Sequence, residues 1–214
     1  MKKAIIYIIV FLAIQLISPG VVTGVSMLLT LVGVPSLSFV ETTILGMVLS
    51  SVVTIILFCK LRWAPPSRDY LLSHPWIVVI WSVMAALGAI IPSMAMQEYI
   101  PELPNFVEQE MGDIMMHRGG YFVVCLLAPL TEELLCRGAV LRTLLAWRPE
   151  QRWGMTALSA LFFALIHLNP AQMPHAFLIG LLLGWMYERT GSIVPGVAYH
   201  WANNTVAYIM FRLY

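Results

Sequence analysis

Long apolar stretches separated by short polar breaks run the length of the chain. A helix that crosses a bilayer needs about 20 mostly apolar residues. By that measure there are roughly seven candidates, over 4–32, 43–59, 76–96, 119–146, 153–168, 174–188 and 193–211. The fifth and sixth are short and are expected to run tilted or sheltered by their neighbours. Ser18-Pro19-Gly20 is expected to kink or split the first, because proline removes a backbone donor and crowds the preceding turn. The pattern predicts an all-α, polytopic transmembrane helical bundle of about seven spans, with a range of six to eight. It forms a single integral membrane domain over 1–214, with any active site inside the bundle.

The polar breaks orient this layout. Lys2, Lys3, Lys60, Arg62, Arg68, Arg142, Arg148, Arg152 and Arg189 all fall on one side if the N-terminus is cytoplasmic. Arg118 and Arg212 fall on the other side, and Arg137 lies within a span. That asymmetry is the positive-inside pattern. The apolar run after Lys2-Lys3 continues to about Val34, too long for a cleaved signal, so the first span is expected to be retained. The link 60–75 is then the main cytoplasmic loop. The break 97–118 contains Pro101, Pro104 and the run NFVEQEMGDIMMH. Phe106, Ile114 and Met115 in it suggest a short amphipathic surface helix, with a plain solvated loop as the alternative.

Composition narrows the function classes. Of 214 residues, 60% are hydrophobic and 11% charged, against about a quarter charged in soluble domains. A net charge of +1 points away from a nucleic-acid partner. Cys59, Cys125 and Cys136 lie in or beside apolar stretches with no CxxC pair, so they read as small buried hydrophobes, not as a disulfide framework or zinc knuckle.

Against this background TEELLCRG, Thr131 to Gly138, is out of place. An ionisable group at bilayer depth costs roughly 2.5–3.5 kcal/mol on insertion scales, and such groups usually pair or line a cavity. On a helix Glu133 and Arg137 are four apart and share a face, whereas Glu132 points elsewhere. Glu133 is therefore expected to be neutralised by Arg137, which leaves Glu132 free. The competing reading makes Thr131 an N-cap, with both glutamates in the first turn of an interfacial helix. At 1.5 Å per residue, Glu132 is about 22 Å from Trp147, His167 about 21 Å from Trp153 and His200 about 17 Å from Arg189. Three polar positions on three helices thus share a layer, with Asn204 one turn beyond His200. A carboxylate and two imidazoles can activate water, hold zinc with an open position, or, with Asn204, donate to an oxyanion. Asn169 and His175 flank the link between spans five and six; His175 is a spare ligand or, as expected here, sits at the membrane surface, and His74 and His117 lie in loops away from any site.

These residues resemble the CPBP (Abi) intramembrane proteases. That family includes Rce-type CAAX prenyl endopeptidases, bacteriocin-processing and self-immunity proteins, and lysostaphin-resistance-like proteins. The family pattern is EExxxR, FxxxH, then HxxxN or HxxxD. Here it reads Glu132-Glu133 to Arg137, Phe163 to His167, and His200 to Asn204, within a catalytic core at 119–211. The resemblance implies an endopeptidase that hydrolyses peptide bonds of a membrane-associated protein or peptide. Glu132 would activate water with help from His167. Glu133 and Arg137 would shape the site, Phe163 would support it, and His200 with Asn204 would stabilise the oxyanion. Glu132, His167 and His200 would be the ligands if zinc is used, and a metal-independent glutamate mechanism is equally compatible. Members often carry an eighth helix after the last motif. Ten residues follow Asn204 here, so the site is expected to be more open on that side or closed by a homodimer. The short loops point to a bacterial cytoplasmic membrane. A non-proteolytic scaffold or immunity factor of the same fold stays open as an alternative. A small transporter fits less well, since inverted repeats and paired broken helices are absent.

Overall fold

The computed structural model describes residues 1–65, 75–92 and 103–213. The middle of the 60–75 link with His74, the start of the 97–118 break and the end of the 76–96 stretch lie outside these residues. The described chain is helical, with no strand among the described residues. It runs α1 (Lys2–Thr30), α2 (Phe39–Lys60), α3 (Pro75–Gly88), the short α4 (Glu108–Met116), a composite α5, α6 (Arg152–Leu165), α7 (Met173–Thr190) and α8 (Val194–Leu213). Composite α5 joins a π-helical stretch (Phe122–Leu127), an α segment (Ala128–Glu133), a second π stretch (Leu134–Leu141) and an α end (Arg142–Trp147). Seven of these helices coincide with the seven apolar stretches. By length and composition, Lys2–Thr30 and Phe39–Lys60 are long and apolar enough to cross a membrane.

Packing in the first two helices reverses the soluble pattern. On α2 the inward positions are Thr42, Thr43, Gly46, Ser50, Ser51, Thr54 and Phe58, while Leu45, Val52, Val53 and Ile56 are exposed. Small and weakly polar side chains face the neighbours, and branched apolar ones face outward. That is how helices pack where the surroundings are as apolar as leucine. Ser50 Oγ bonds Gln15 Oε1 across α1 and α2 at 2.8 Å. A Cβ at position 46 would lie 2.6 Å from Pro19 Cα, so glycine lets α2 press on the proline turn.

That contact corrects one expectation. Helix α1 continues through Pro19 without splitting. Ser18 Oγ bonds the Ile14 carbonyl at 2.7 Å and Thr23 Oγ bonds the Pro19 carbonyl at 2.9 Å, so hydroxyls serve the helix around its missing donor. The 97–118 break does hold an amphipathic helix, with Ile114 buried against Ile44 and Val123. Phe106 precedes that helix and is exposed, so it is not on its apolar face.

Helices α6 and α7 also cross closely. A Cβ at Gly180 would be 3.0 Å from Ala160 Cα, and one at Gly184 would be 2.7 Å from Thr156 Cγ2. The stretch Gly180-Leu-Leu-Leu-Gly184 is thus a small-xxx-small face. Trp147, Trp153 and Trp185 are exposed at one end of α5, α6 and α7, with Arg148 over Trp147 at 4.9 Å and Arg189 over Trp185 at 5.8 Å. Aromatic rings mixed with cations are the usual composition of a membrane–water boundary.

Gly184→Val is expected to destabilise by about 1–3 kcal/mol through overpacking against Thr156. Gly24, with open space around it, is expected to accept alanine with a gain of up to about 1 kcal/mol. Thermal melts followed by circular dichroism in one detergent check both. Equal effects at the two glycines would contradict the close crossing.

Candidate functional site

The site grows from α5. Its first turns carry Pro129, whose missing N–H would end an ordinary helix in lipid unless the freed groups found other partners. Here the chain passes through the proline by widening into the π stretch Phe122–Leu127, where the Ala128 N–H bonds the Val123 carbonyl. The N-cap reading of Thr131 is therefore overturned. Thr131 lies inside a continuous helix, and its hydroxyl bonds back to the Leu127 and Ala128 carbonyls at 3.0 and 3.1 Å. Glu132 and Glu133 follow deep in the helix, not at its start.

The two carboxylates have different surroundings. Glu133 is fully buried, and its Oε1 accepts from Arg137 Nη1 at 2.8 Å. Arg137 Nη2 donates to the Gly180 carbonyl of α7 at 3.0 Å, and its guanidinium lies 4.5 Å from the centroid of Phe163 in α6. One arginine, itself 1% exposed, thus joins α5, α6 and α7. Gly196 brings α8 in from the other side, because a Cβ there would sit 2.7 Å from Glu133 Oε2. Glu132 has no such arginine. Its Oε2 is buried and makes no hydrogen bond to the protein, while the side chain as a whole is 20% exposed.

His200 of α8 stands between the two. Its Nδ1 is 3.4 Å from Glu133 Oε1 and its Nε2 is 3.8 Å from Glu132 Oε2. The longer separation exceeds a direct hydrogen bond. Catalytic contacts are often this loose before substrate tightens them. Phe163 packs edge-on to both imidazoles, with centroids 5.0 Å from His167 and 5.6 Å from His200. His167 Nδ1 is 2.7 Å from the Phe163 carbonyl. A carbonyl only accepts, so Nδ1 carries the proton, and in the neutral ring Nε2 keeps its lone pair. The sequence-predicted residues Glu132, Glu133, Arg137, Phe163, His167 and His200 are thereby linked through Phe163 and His200. Asn204 is turned elsewhere: its Nδ2 donates to the Val124 carbonyl at 3.0 Å.

Two residues at the link between α6 and α7 are partly or fully buried. His175 on α7 is half-buried, with Asn203 as a side-chain neighbour and His167 and His200 within electrostatic reach. Asn169 is fully buried, accepts from the Phe106 N–H at 3.1 Å and donates to Asn105 Oδ1 at 2.9 Å. Between His167 and Asn169, Leu168 takes a left-handed backbone with φ of 51°, a strained state for a branched residue. No periodicity in HLNPAQMPH betrays these placements, since they depend on how the turn folds back.

One carboxylate and two imidazoles are donors of the kind that zinc takes. Among the described residues, no three His, Cys, Asp or Glu side chains converge closely enough to hold an ion. His167 and His200 flank Phe163 and Glu132 faces His200, an arrangement of groups able to move protons.

Removing one partner of a buried ion pair leaves the other uncompensated, at a cost of about 3–5 kcal/mol. Arg137→Met is expected to lose that much stability. The double variant Glu133→Gln/Arg137→Met is expected to recover part of the loss. Additive losses in a thermal or denaturant cycle would contradict the pairing.

Comparison with known proteins supplies one match. The family model of type II CAAX prenyl endopeptidase Rce1-like proteins matches residues 118–206. No curated protein and no solved structure matches the chain. The match begins just before α5 and ends within α8, so it takes in Glu132, Glu133, Arg137, Phe163, His167, His200 and Asn204. Residues 118–206 are thus similar to the Rce1-like type II CAAX prenyl endopeptidases.

Proposed function

We propose that the protein is an intramembrane endopeptidase whose attacking water is activated by Glu132. The observation that carries this reading is the contrast between adjacent carboxylates. Each carboxylate has a buried, unbonded Oε2, but Glu133 is held through Oε1 by Arg137, whereas Glu132 has no cationic partner of that kind and its Oε2 faces His200 Nε2. Glu132 takes a proton from water as the water oxygen adds to the scissile carbonyl. His167, with its Nε2 lone pair free, orients that water. His200 donates to the oxyanion as it forms, and the buried arrangement strengthens that interaction. The C–N bond then breaks as the proton passes from Glu132 to the departing amine, which restores the carboxylate. Glu133, Arg137 and Phe163 hold these groups in place.

This reading includes a bundle of about seven spans with the N-terminus on the cytoplasmic side. The Trp147, Trp153 and Trp185 belt with its arginines supports the latter as the cytoplasmic boundary. The substrate is a membrane-associated protein or peptide. That no metal-ligand set converges among the described residues favours the glutamate scheme over zinc.

The test is cleavage of a quenched fluorescent peptide library by purified protein in detergent. Wild type is expected to cleave, with no loss on chelation. Glu132→Gln is expected to be slower by about 10²–10⁴-fold, the usual contribution of a general base, with its fold retained. Cleavage by Glu132→Gln at the wild-type rate would overturn the assignment of the base. Chelator sensitivity would overturn the metal-free scheme. A wild type that cleaves nothing, with a cellular phenotype that survives Glu132→Gln, would favour the scaffold or immunity reading.

A further inference from the structure

We infer that Asn204 is a positioning residue that replaces the backbone donor missing at Pro129, and that it thereby sets His200 opposite Glu132. The ladder of α5 shows why a donor is needed. At the end of the π stretch Phe122–Leu127 the Ala128 N–H reaches five residues back, to the Val123 carbonyl. The next rung would run from residue 129 to the Val124 carbonyl. Residue 129 is proline, which has no N–H. Asn204 Nδ2, from α8, donates to that same Val124 carbonyl at 3.0 Å. An unsatisfied carbonyl costs several kcal/mol inside a bilayer, and membrane proteins use side chains of neighbouring helices to satisfy groups freed by proline.

The bond also has a geometric consequence. Asn204 lies one turn beyond His200 on α8, and Pro129 lies three residues before Glu132 on α5. The Asn204–Val124 bond therefore pins the two helices beside the point where His200 Nε2 faces Glu132 Oε2 at 3.8 Å. Asn203 Nδ2 reaches Asn204 Oδ1 at 3.4 Å, so the amide is held in this orientation from its acceptor end. Tyr121 braces the same pair of helices, with Trp201 Nε1 on its hydroxyl at 3.0 Å and Thr205 Oγ1 at 3.2 Å from it. In this arrangement the Asn204 amide serves the helix junction, and the oxyanion is left to His200.

A double-mutant cycle between positions 129 and 204 tests this. Pro129→Ala supplies an N–H that can close the rung to the Val124 carbonyl. In the wild-type background, Asn204→Ala is expected to lower the melting temperature by about 2–4 °C, the shift that follows from about one hydrogen bond in a chain of this size. It is also expected to lower kcat with little change in KM. In the Pro129→Ala background, Asn204→Ala is expected to cost less than half as much in both readouts. Equal losses in the two backgrounds would overturn the inference. If the thermal loss is rescued but the kcat loss is not, the amide acts directly on the oxyanion and the positioning role fails. The kinetic arm rests on the endopeptidase reading. The thermal arm does not, so coupling without any cleavage would refute the enzyme and leave the Pro129–Asn204 exchange standing.

Discussion

The ion pair between Glu133 and Arg137 holds the rest of the site in place. Both side chains are out of contact with solvent. A buried pair is no gain over well-packed hydrophobics unless its remaining donors and acceptors are used. Here part of that capacity is used between helices, while Glu133 Oε2 and Arg137 Nε stay unbonded. The guanidinium spends one nitrogen on Glu133, another on the Gly180 carbonyl and its face on Phe163. The carboxylate faces His200 across α8. The glycines at 180, 184 and 196 follow from this, because α7 and α8 must come close enough for one short network to reach them. Arg137 pairs with Glu133 through Oε1 and leaves its neighbour Glu132 an unpaired carboxylate.

Helix α5 makes room for that arrangement by leaving regular α geometry twice. π turns are uncommon and often occur at functional sites. Two carbonyls within these stretches accept side-chain donors from other helices: Val124 from Asn204 and Cys136 from Ser159 at 3.0 Å. Irregular backbone inside a membrane bundle survives only where neighbours satisfy it. The distortion and the interhelical bonds therefore depend on each other, and both bracket the EExxxR segment.

Much of this was legible in the sequence because its signals are local. Apolar run length located seven helices, and the four-residue spacing of Glu133 and Arg137 foretold their bond. The common depth of Glu132, His167 and His200 agrees with the 3.8 Å between Glu132 and His200 and with the packing of both imidazoles on Phe163. What was missed depends on contacts between segments far apart in the chain. Pro19 suggested a broken helix, yet Gly46 on the next helix accepts the proline turn and α1 runs through. Thr131 after Pro129 suggested a helix start, because a single sequence does not show that a π stretch and a distant amide can carry the helix past a proline. His175 and Asn169 sat in an ordinary turn until Leu168 folded it inward.

The claim at the centre of this account is a division of labour between two adjacent glutamates, one structural and one reactive. The measurement that tests it most directly is the melting temperature of Glu132→Gln beside that of Glu133→Gln in the same detergent. The account predicts a fall of at least about 6 °C for Glu133→Gln, because Arg137 is left buried without its partner. It predicts a change within about 2 °C for Glu132→Gln, whose carboxylate stabilises nothing in the resting protein. Equal falls, or a larger fall at Glu132, would contradict it.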